Sequence, residues 1–242
     1  MIVYYKDMKK ITANHLIIIS ASFLVLFDNV SFFRNVVKVY PVSLSNMGFL
    51  ISLAMGLMCV IILLLALVSS KYTLKPILIF TLLVSSVTNY FMNNYSTVID
   101  HTMIQNIFST NLKETVELFS FKLFLYFIFL GVLPSLFIGR IEVQRGSLGA
   151  EFISRLKLVS IALAVMLLSL LMFSKFYTSF LREHKPLRYR TNPTYTYYSL
   201  GKYLNNKFKD HNVQLKMIGE DEKIPETDTD RELIILVVGE AA

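Results

Sequence analysis

The residues with most chemistry to offer lie in the segment STVIDHTMIQNIFSTNLKETVELFS, from Ser96 to Ser120. Asn106, Thr110 and Glu114 follow one another at i, i+4 and i+8, so on a continuous helix an amide, a hydroxyl and a carboxylate stand along one face. Ile104, Ile107, Phe108 and Leu112 then face lipid or neighbouring helices. That polar face suits a headgroup carrying both ammonium and phosphate; the alternative is a polar stripe turned to water. A second candidate is Glu240. It follows Leu233 to Val238, LIILVV, a run of strand formers that fits a parallel strand buried on both faces. Ligands of open α/β sheets bind at the carboxyl ends of such strands, so Glu240 stands where a first metal ligand or a catalytic carboxylate is expected, or else caps a following helix. Asp28 and Asn29 interrupt an otherwise apolar segment, where they either face a helix bundle or simply end a helix. Cys59 is the single cysteine, which excludes an intrachain disulfide and a Cys-based zinc cluster within these residues; it and the ten methionines read as packing residues. His184 beside Glu183 reads as a solvated pair.

The elements that must position these residues are dictated by composition. A chain of 242 residues that is 54% hydrophobic and only 17% charged, with mean hydropathy +0.54, is a membrane protein. Residues 1–180 hold 14 Lys/Arg and 7 Asp/Glu, whereas residues 181–242 hold 10 of each, so an apolar body precedes a polar tail. The net charge of +7 therefore sits in the body, where basic loops beside anionic lipid headgroups account for it without a nucleic-acid partner. A spanning helix needs about 20 mostly apolar residues. Five segments qualify: His15 to Phe33, Gly48 to Ser70, the uncharged stretch from Pro76 towards Asp100, the stretch between Lys122 and Arg140, and that between Lys157 and Lys175.

Direction follows from the basic loops, since Lys and Arg in short loops stay on the cytoplasmic side. Lys6, Lys9, Lys10, Lys71, Lys75, Arg140, Arg145, Arg155 and Lys157 fall on one side; Arg34, Lys38 and Lys113 fall on the other. The N-terminus is thus expected in the cytoplasm and the tail outside. LREHKPLRYRTNPTYTYYSLGKYLNNKFKDH, from Leu181 to His211, mixes five tyrosines with Arg and Lys and reads as a segment lying along the outer surface, while Gly219 to Glu232 is an acidic, turn-rich loop. The expected organisation is a five-helix transmembrane domain over 1–180, an interfacial linker over 181–231, and over 232–242 the first strand of an α/β domain. A lone strand buries nothing, so the natural protein is expected to continue.

The five spans, MIQNIFSTNLKE, LREHKPLRYRTNP and ELIILVVGEAA together resemble the phosphoethanolamine transferases that modify lipid A, the group of EptA enzymes and mobile colistin-resistance proteins. The resemblance implies a multi-pass bacterial inner-membrane enzyme with a periplasmic, alkaline-phosphatase-like domain. Such an enzyme takes phosphoethanolamine from phosphatidylethanolamine, holds it on a threonine and passes it to a lipid A phosphate, altering surface charge and polymyxin sensitivity. It further implies zinc as cofactor with Glu240 as a ligand, Asn106, Thr110 and Glu114 as headgroup-binding residues, membrane lipids as partners and a monomeric protein. The family often has Thr where this chain has Ala241, but its nucleophilic threonine and remaining zinc ligands belong to motifs beyond residue 242, so these residues alone are expected to be inactive. Against this reading stand a lipid transporter, a pure membrane anchor, and same-family transfer to a core sugar or periplasmic glucan.

The loop bias predicts that Lys10 and Arg145 are cytoplasmic while Asp100 and Tyr197 are periplasmic. Single-cysteine labelling in cells with a permeabilised outer membrane should modify Asp100→Cys directly and Lys10→Cys only after the inner membrane is breached; the reverse pattern would invert the topology.

Overall fold

The computed structural model describes residues 10–68, 70, 72–111, 116, 118–144 and 146–209. Helix α1 (Ala13–Phe27) begins at Thr12, whose hydroxyl accepts from the His15 N–H, and stops at Asp28. Helix α2 (Val30–Val39) continues the path at 57° to α1. Two long helices follow, α3 (Leu44–Val68) and α4 (Leu74–Asn94), and then the short α5 (His101–Ser109). Helix α6 (Phe121–Arg140) carries one π-helical turn at Phe127–Val132. The remainder comprises α7 (Leu148–Met172), α8 (Ser174–Arg182), the single turn α9 (Lys185–Arg188) and α10 (Thr194–Lys209). Two-residue strands β1 (Ile11–Thr12) and β2 (Val143–Gln144) pair in parallel, Ile11 opposite Val143.

Helices α3, α4, α6 and α7 are each long and apolar enough to cross a membrane, and the bent pair α1–α2 makes a fifth span if counted as one. The contacts sort the loops into two ends. At one, β1 pairs with β2, Lys75 Nζ donates to the Gly139 carbonyl at 2.9 Å, and the Asn14 amide donates to Ser154 at 2.9 Å. At the other, Tyr40 meets His184 with ring centroids 5.7 Å apart and Arg190 donates to the Ser96 carbonyl at 3.1 Å. Lys10, Lys75 and Arg155 line a cleft of about 1020 Å³ at the first end, together with Glu142 and Glu151. Among the described residues, Lys10, Lys75 and Arg155 thus share one end, as the sorting of basic loops expects, while Lys6, Lys9, Lys71, Arg145 and Lys113 lie outside the described residues. The predicted strand over Leu233 to Val238 lies outside the described residues.

The core runs through α1, α3 and α4, where Ile17, Leu24, Phe49, Ile61, Leu78 and Leu82 are buried. Helices α6 and α7 cover only one side each. Phe129, Phe137, Ile161, Leu168 and Leu171 stay exposed, a surface matched to hydrocarbon and not to water. An aromatic knot around Phe49 ties α2 and α3 to α8: Phe49 stacks on Phe176 at 5.0 Å and meets Tyr40 and Tyr177 edge-on at 4.9 and 5.3 Å.

Close approach fixes α6 against α4. A Cβ at Gly131 would lie 2.7 Å from Ser86 Oγ and 3.3 Å from Ser86 Cβ and Leu83 Cδ2, so the π turn presents its one glycine where the Ser86 and Leu83 side chains of α4 press closest. Gly131→Ala should therefore cost about 1–3 kcal/mol through overpacking. Thermal unfolding in detergent checks this, with partial recovery expected in a Ser86→Ala background because the nearest obstructing atom is removed.

Candidate headgroup platform and buried polar joint

Helix α5 is built by its cap. Asp100 Oδ1 accepts from the Met103 N–H at 2.8 Å and from the Thr102 hydroxyl at 2.7 Å, satisfying donors that a helix start leaves open. Burial pushes the Asp100 carboxyl up, but the bonds from Met103 and Thr102 and the neighbouring His101 outweigh it, and the net shift is downward. On its inner side Ile104 packs with Met92 and Ile99 into a small cluster bordered by Phe91, Met103, Leu200 and Tyr203. Phe108 stacks on Tyr203 of α10 with centroids 5.4 Å apart and planes 13° apart. Helices α5 and α10 thus form one platform over the end of α4, held also by the Arg190 bond to Ser96.

Asn106 lies exposed on this platform. Thr110 does not continue the helix as the spacing predicts. Its backbone turns extended, with φ −68° and ψ 135°, and both its N–H and its hydroxyl donate to the Asn106 carbonyl, at 2.8 and 2.7 Å. A β-branched residue whose hydroxyl bonds back to the last turn competes with the next helical bond, so α5 stops at Ser109. Asn106 and Thr110 are still neighbours, through main chain and hydroxyl, but no single helix carries the row on to Glu114. Glu114 and Glu240 both lie outside the described residues. Among the described residues, no group of three His, Cys, Asp or Glu is gathered for a metal.

The joint between α1 and α2 is more elaborate than the sequence suggests. Asp28 and Asn29 are 1% and 0% exposed, so both face the bundle. Breaking a helix frees carbonyls, and here side-chain amides take them: Asn89 Nδ2 donates to the Phe27 carbonyl at 3.0 Å and Asn192 Nδ2 to that of Asp28 at 3.3 Å, while Asn29 Nδ2 adds a bond at 2.9 Å to the Leu24 carbonyl, which also accepts the Asp28 N–H. Asn89 Nδ2 also reaches Asp28 Oδ1 at 3.1 Å, and Asn192 Nδ2 reaches the Ser85 carbonyl at 2.8 Å. Asn29 and Asn192 are joined reciprocally, since Asn29 Nδ2 donates to the Asn192 carbonyl at 2.6 Å and the Asn192 N–H donates to Asn29 Oδ1 at 2.9 Å.

Asn192 belongs to the tyrosine-rich segment read from the sequence as lying along the surface. It is instead fully buried, and Thr196 and Ser199 follow it inward, while Tyr197 shares a 2.6 Å hydrogen bond with Thr81 of α4. Thr81 of α4 is the polar partner of Tyr197 on α10, and the Ser85 main-chain carbonyl is the partner of the Asn192 amide just before that helix. Sequence reasoning missed Asn192. The available signals were the polar row within SSVTNYFMNN, which must face protein in a spanning helix, and the Asn-Pro turn dipeptide.

Comparison with known proteins bears on both features. Residues 57–208, from mid-α3 to the end of α10, match the phosphoethanolamine transferase EptA/EptB family. The chain belongs to that family. Among its relatives, the phosphatidylethanolamine transferases Mcr-2 and Mcr-1 of Escherichia coli are each 37% identical over 92% of this chain. In structure it matches the integral membrane lipooligosaccharide phosphoethanolamine transferase A of Neisseria meningitidis with a TM-score of 0.79, at 22% identity over 84% of this chain, which establishes a shared fold. The chain spans 42% of the length of the two Mcr relatives and 38% of that structure. The matched span holds the whole platform, α4, α5 and α10, and the Asn192 side of the joint, so these belong to the family's membrane region.

Because folded Asp100 titrates below its ordinary value of 3.8, its capping contribution is complete above that value and is lost as pH falls through the lower folded one. Asp100→Ala should loosen α5 by about 1 kcal/mol at neutral pH, read as roughly 5-fold faster hydrogen exchange of the α5 amides, with no change in that ratio between pH 7 and pH 5.

Proposed function

We propose that this chain is the membrane portion of a phosphoethanolamine transferase that draws its donor, phosphatidylethanolamine, from the bilayer. The observation that carries this reading is the family match together with 37% identity to two phosphatidylethanolamine transferases over nearly the whole chain. The N-terminus is cytoplasmic in this reading, and the platform of α5 and α10 stands at the periplasmic surface of the bacterial inner membrane, where a lipid headgroup arrives laterally. The acceptor is a lipid A phosphate and the protein works as a monomer. Residues 1–180 are the transmembrane domain, 181–231 the linker and 232–242 the opening strand of the catalytic domain.

The platform residues divide the headgroup between them. The Thr110 hydroxyl proton is committed to the Asn106 carbonyl, which leaves its oxygen lone pairs for an ammonium and shifts Thr110 away from donating to phosphate. The exposed Asn106 amide can donate to phosphate or glycerol oxygens. Glu114 supplies the carboxylate for the ammonium. A threonine of the catalytic domain then attacks the donor phosphorus; the phosphoester bond to diacylglycerol breaks, diacylglycerol takes the proton, and the group passes in a second displacement to the acceptor phosphate. Zinc, with Glu240 among its ligands, would supply charge neutralisation at the phosphoryl oxygens when bound. The work of the membrane portion is to hold the headgroup at a fixed height.

A charge-assisted contact contributes about 1.5–3 kcal/mol when desolvated, so Glu114→Gln in the full-length enzyme should weaken donor use roughly 10- to 150-fold. Asn106→Ala should weaken it less, because Asn106 is exposed. Mass spectrometry of the phosphoethanolamine-enzyme intermediate formed from phosphatidylethanolamine reads the effect; normal yield and rate in both variants would reduce the loop to a solvated connector.

A further inference from the structure

The break in the first span and the linker share one buried joint, and a connection of this kind is more than helix termination. The freed carbonyl of Phe27 is taken by Asn89, a residue of the bundle itself, and Asn29 adds a bond to the Leu24 carbonyl beside that of the Asp28 N–H. The carbonyl of Asp28 is taken by Asn192, a residue 164 positions away in the segment that leads out of the membrane. Asn29 also spends both ends of its amide on the main chain of Asn192. The register of the linker is therefore set by hydrogen bonds between asparagine side-chain amides and main-chain groups within the bundle, and apolar packing alone does not determine it. One residue later the chain begins the path into α10, whose Tyr203 stacks on Phe108 of α5, the helix that carries Asn106.

We infer that Asn29 and Asn192 form a latch that positions the linker, and with it the catalytic domain, over the headgroup platform. The inference rests on the transferase reading for its consequence in catalysis. Neither residue touches the headgroup: both are buried beneath the platform, so they are positioning residues acting through α10. Loss of the latch lets the linker leave its register while the bundle, held by its own apolar core, stays folded. The donor is then bound about as well as before but is presented less often to the nucleophile, since a displacement of about 1 Å far from the chemistry can cost 100-fold in rate.

The test uses the full-length enzyme in phosphatidylethanolamine-containing vesicles, with Asn192→Ala, Asn29→Ala and, as a destabilised control outside the latch, Gly131→Ala. Both latch variants should lose about 10-fold or more in kcat per folded molecule with the donor KM held within about 2-fold, and trypsin should cleave at Arg188 and Arg190 about 10-fold faster than in the wild type. Gly131→Ala, at a similar loss of melting temperature, should keep kcat and the wild-type cleavage rate. Wild-type kcat in the latch variants, or losses no greater than those of Gly131→Ala, would overturn the latch. If Asn29→Ala fails to fold, Asn192→Ala carries the test, because it leaves the Asn29 bonds to Leu24 and to the Asn192 main chain in place. If the wild type itself transfers no phosphoethanolamine, the transferase reading falls, and the cleavage ratio alone then decides whether the latch holds the linker.

Discussion

Hydrocarbon offers no hydrogen bonds, so a span that breaks must have its freed backbone groups answered by protein. That constraint governs this structure more than any single apolar contact. The turn at Asp28 and Asn29 leaves the carbonyls of Phe27 and Asp28 to amide partners drawn from two separate parts of the chain, Asn89 of α4 and Asn192 of the linker, and Asn29 itself ties the turn to both Leu24 and Asn192. Each partner fixes the element that carries it. The bend of the first span, the rotation of α4 and the depth of the linker are consequently one arrangement.

Around this joint the apolar packing follows ordinary bilayer rules. The three helices that carry the joint or lie beside it, α1, α3 and α4, supply the buried residues, while α6 and α7 present phenylalanine and leucine outward. Polar side chains within the spans, Ser85, Asn89 and Thr81, are all buried, and Asn89 meets the helix break and Thr81 the linker helix, while the Ser85 main-chain carbonyl meets Asn192. The aromatic knot around Phe49 and the stacked pair Phe108–Tyr203 then close the far end without burying a charge. A platform assembled in this way is packed where it meets the bundle and exposed at Asn106, which suits the proposed role of presenting one face to lipid.

Membership of the phosphoethanolamine transferase family is what ties that architecture to the proposed chemistry at a membrane surface. The platform lies over the outer-leaflet end of the spans in the proposed orientation, and its residues have the mixed donor and acceptor character that a zwitterion demands. The joint places the exit of the chain next to that surface. In the proposed reading, binding and delivery are built from two segments distant in sequence and adjacent in space, Ser96 to Ser109 and Arg190 to Lys209.

Much of this was legible in the residues alone. Apolar run lengths sufficed for four of the spans, because a bilayer imposes a length and a composition that few other environments do, whereas the first is a pair of helices bent by 57° at Asp28 and Asn29; of the basic loop residues, Lys10, Lys75 and Arg155 gather at one end as expected. Cap chemistry at Asp100 was local and readable in principle. The continuous helix through Glu114 was not borne out as far as Thr110, because spacing reports periodicity and says nothing of a hydroxyl that bonds back and ends the helix. The place of Asn192 was beyond sequence reasoning for a different reason. A run of Tyr, Arg, Lys and Asn has the composition of a surface segment, and only the tertiary structure, by bringing a broken helix with unanswered carbonyls to within hydrogen-bonding distance, decided that one asparagine in it would be buried.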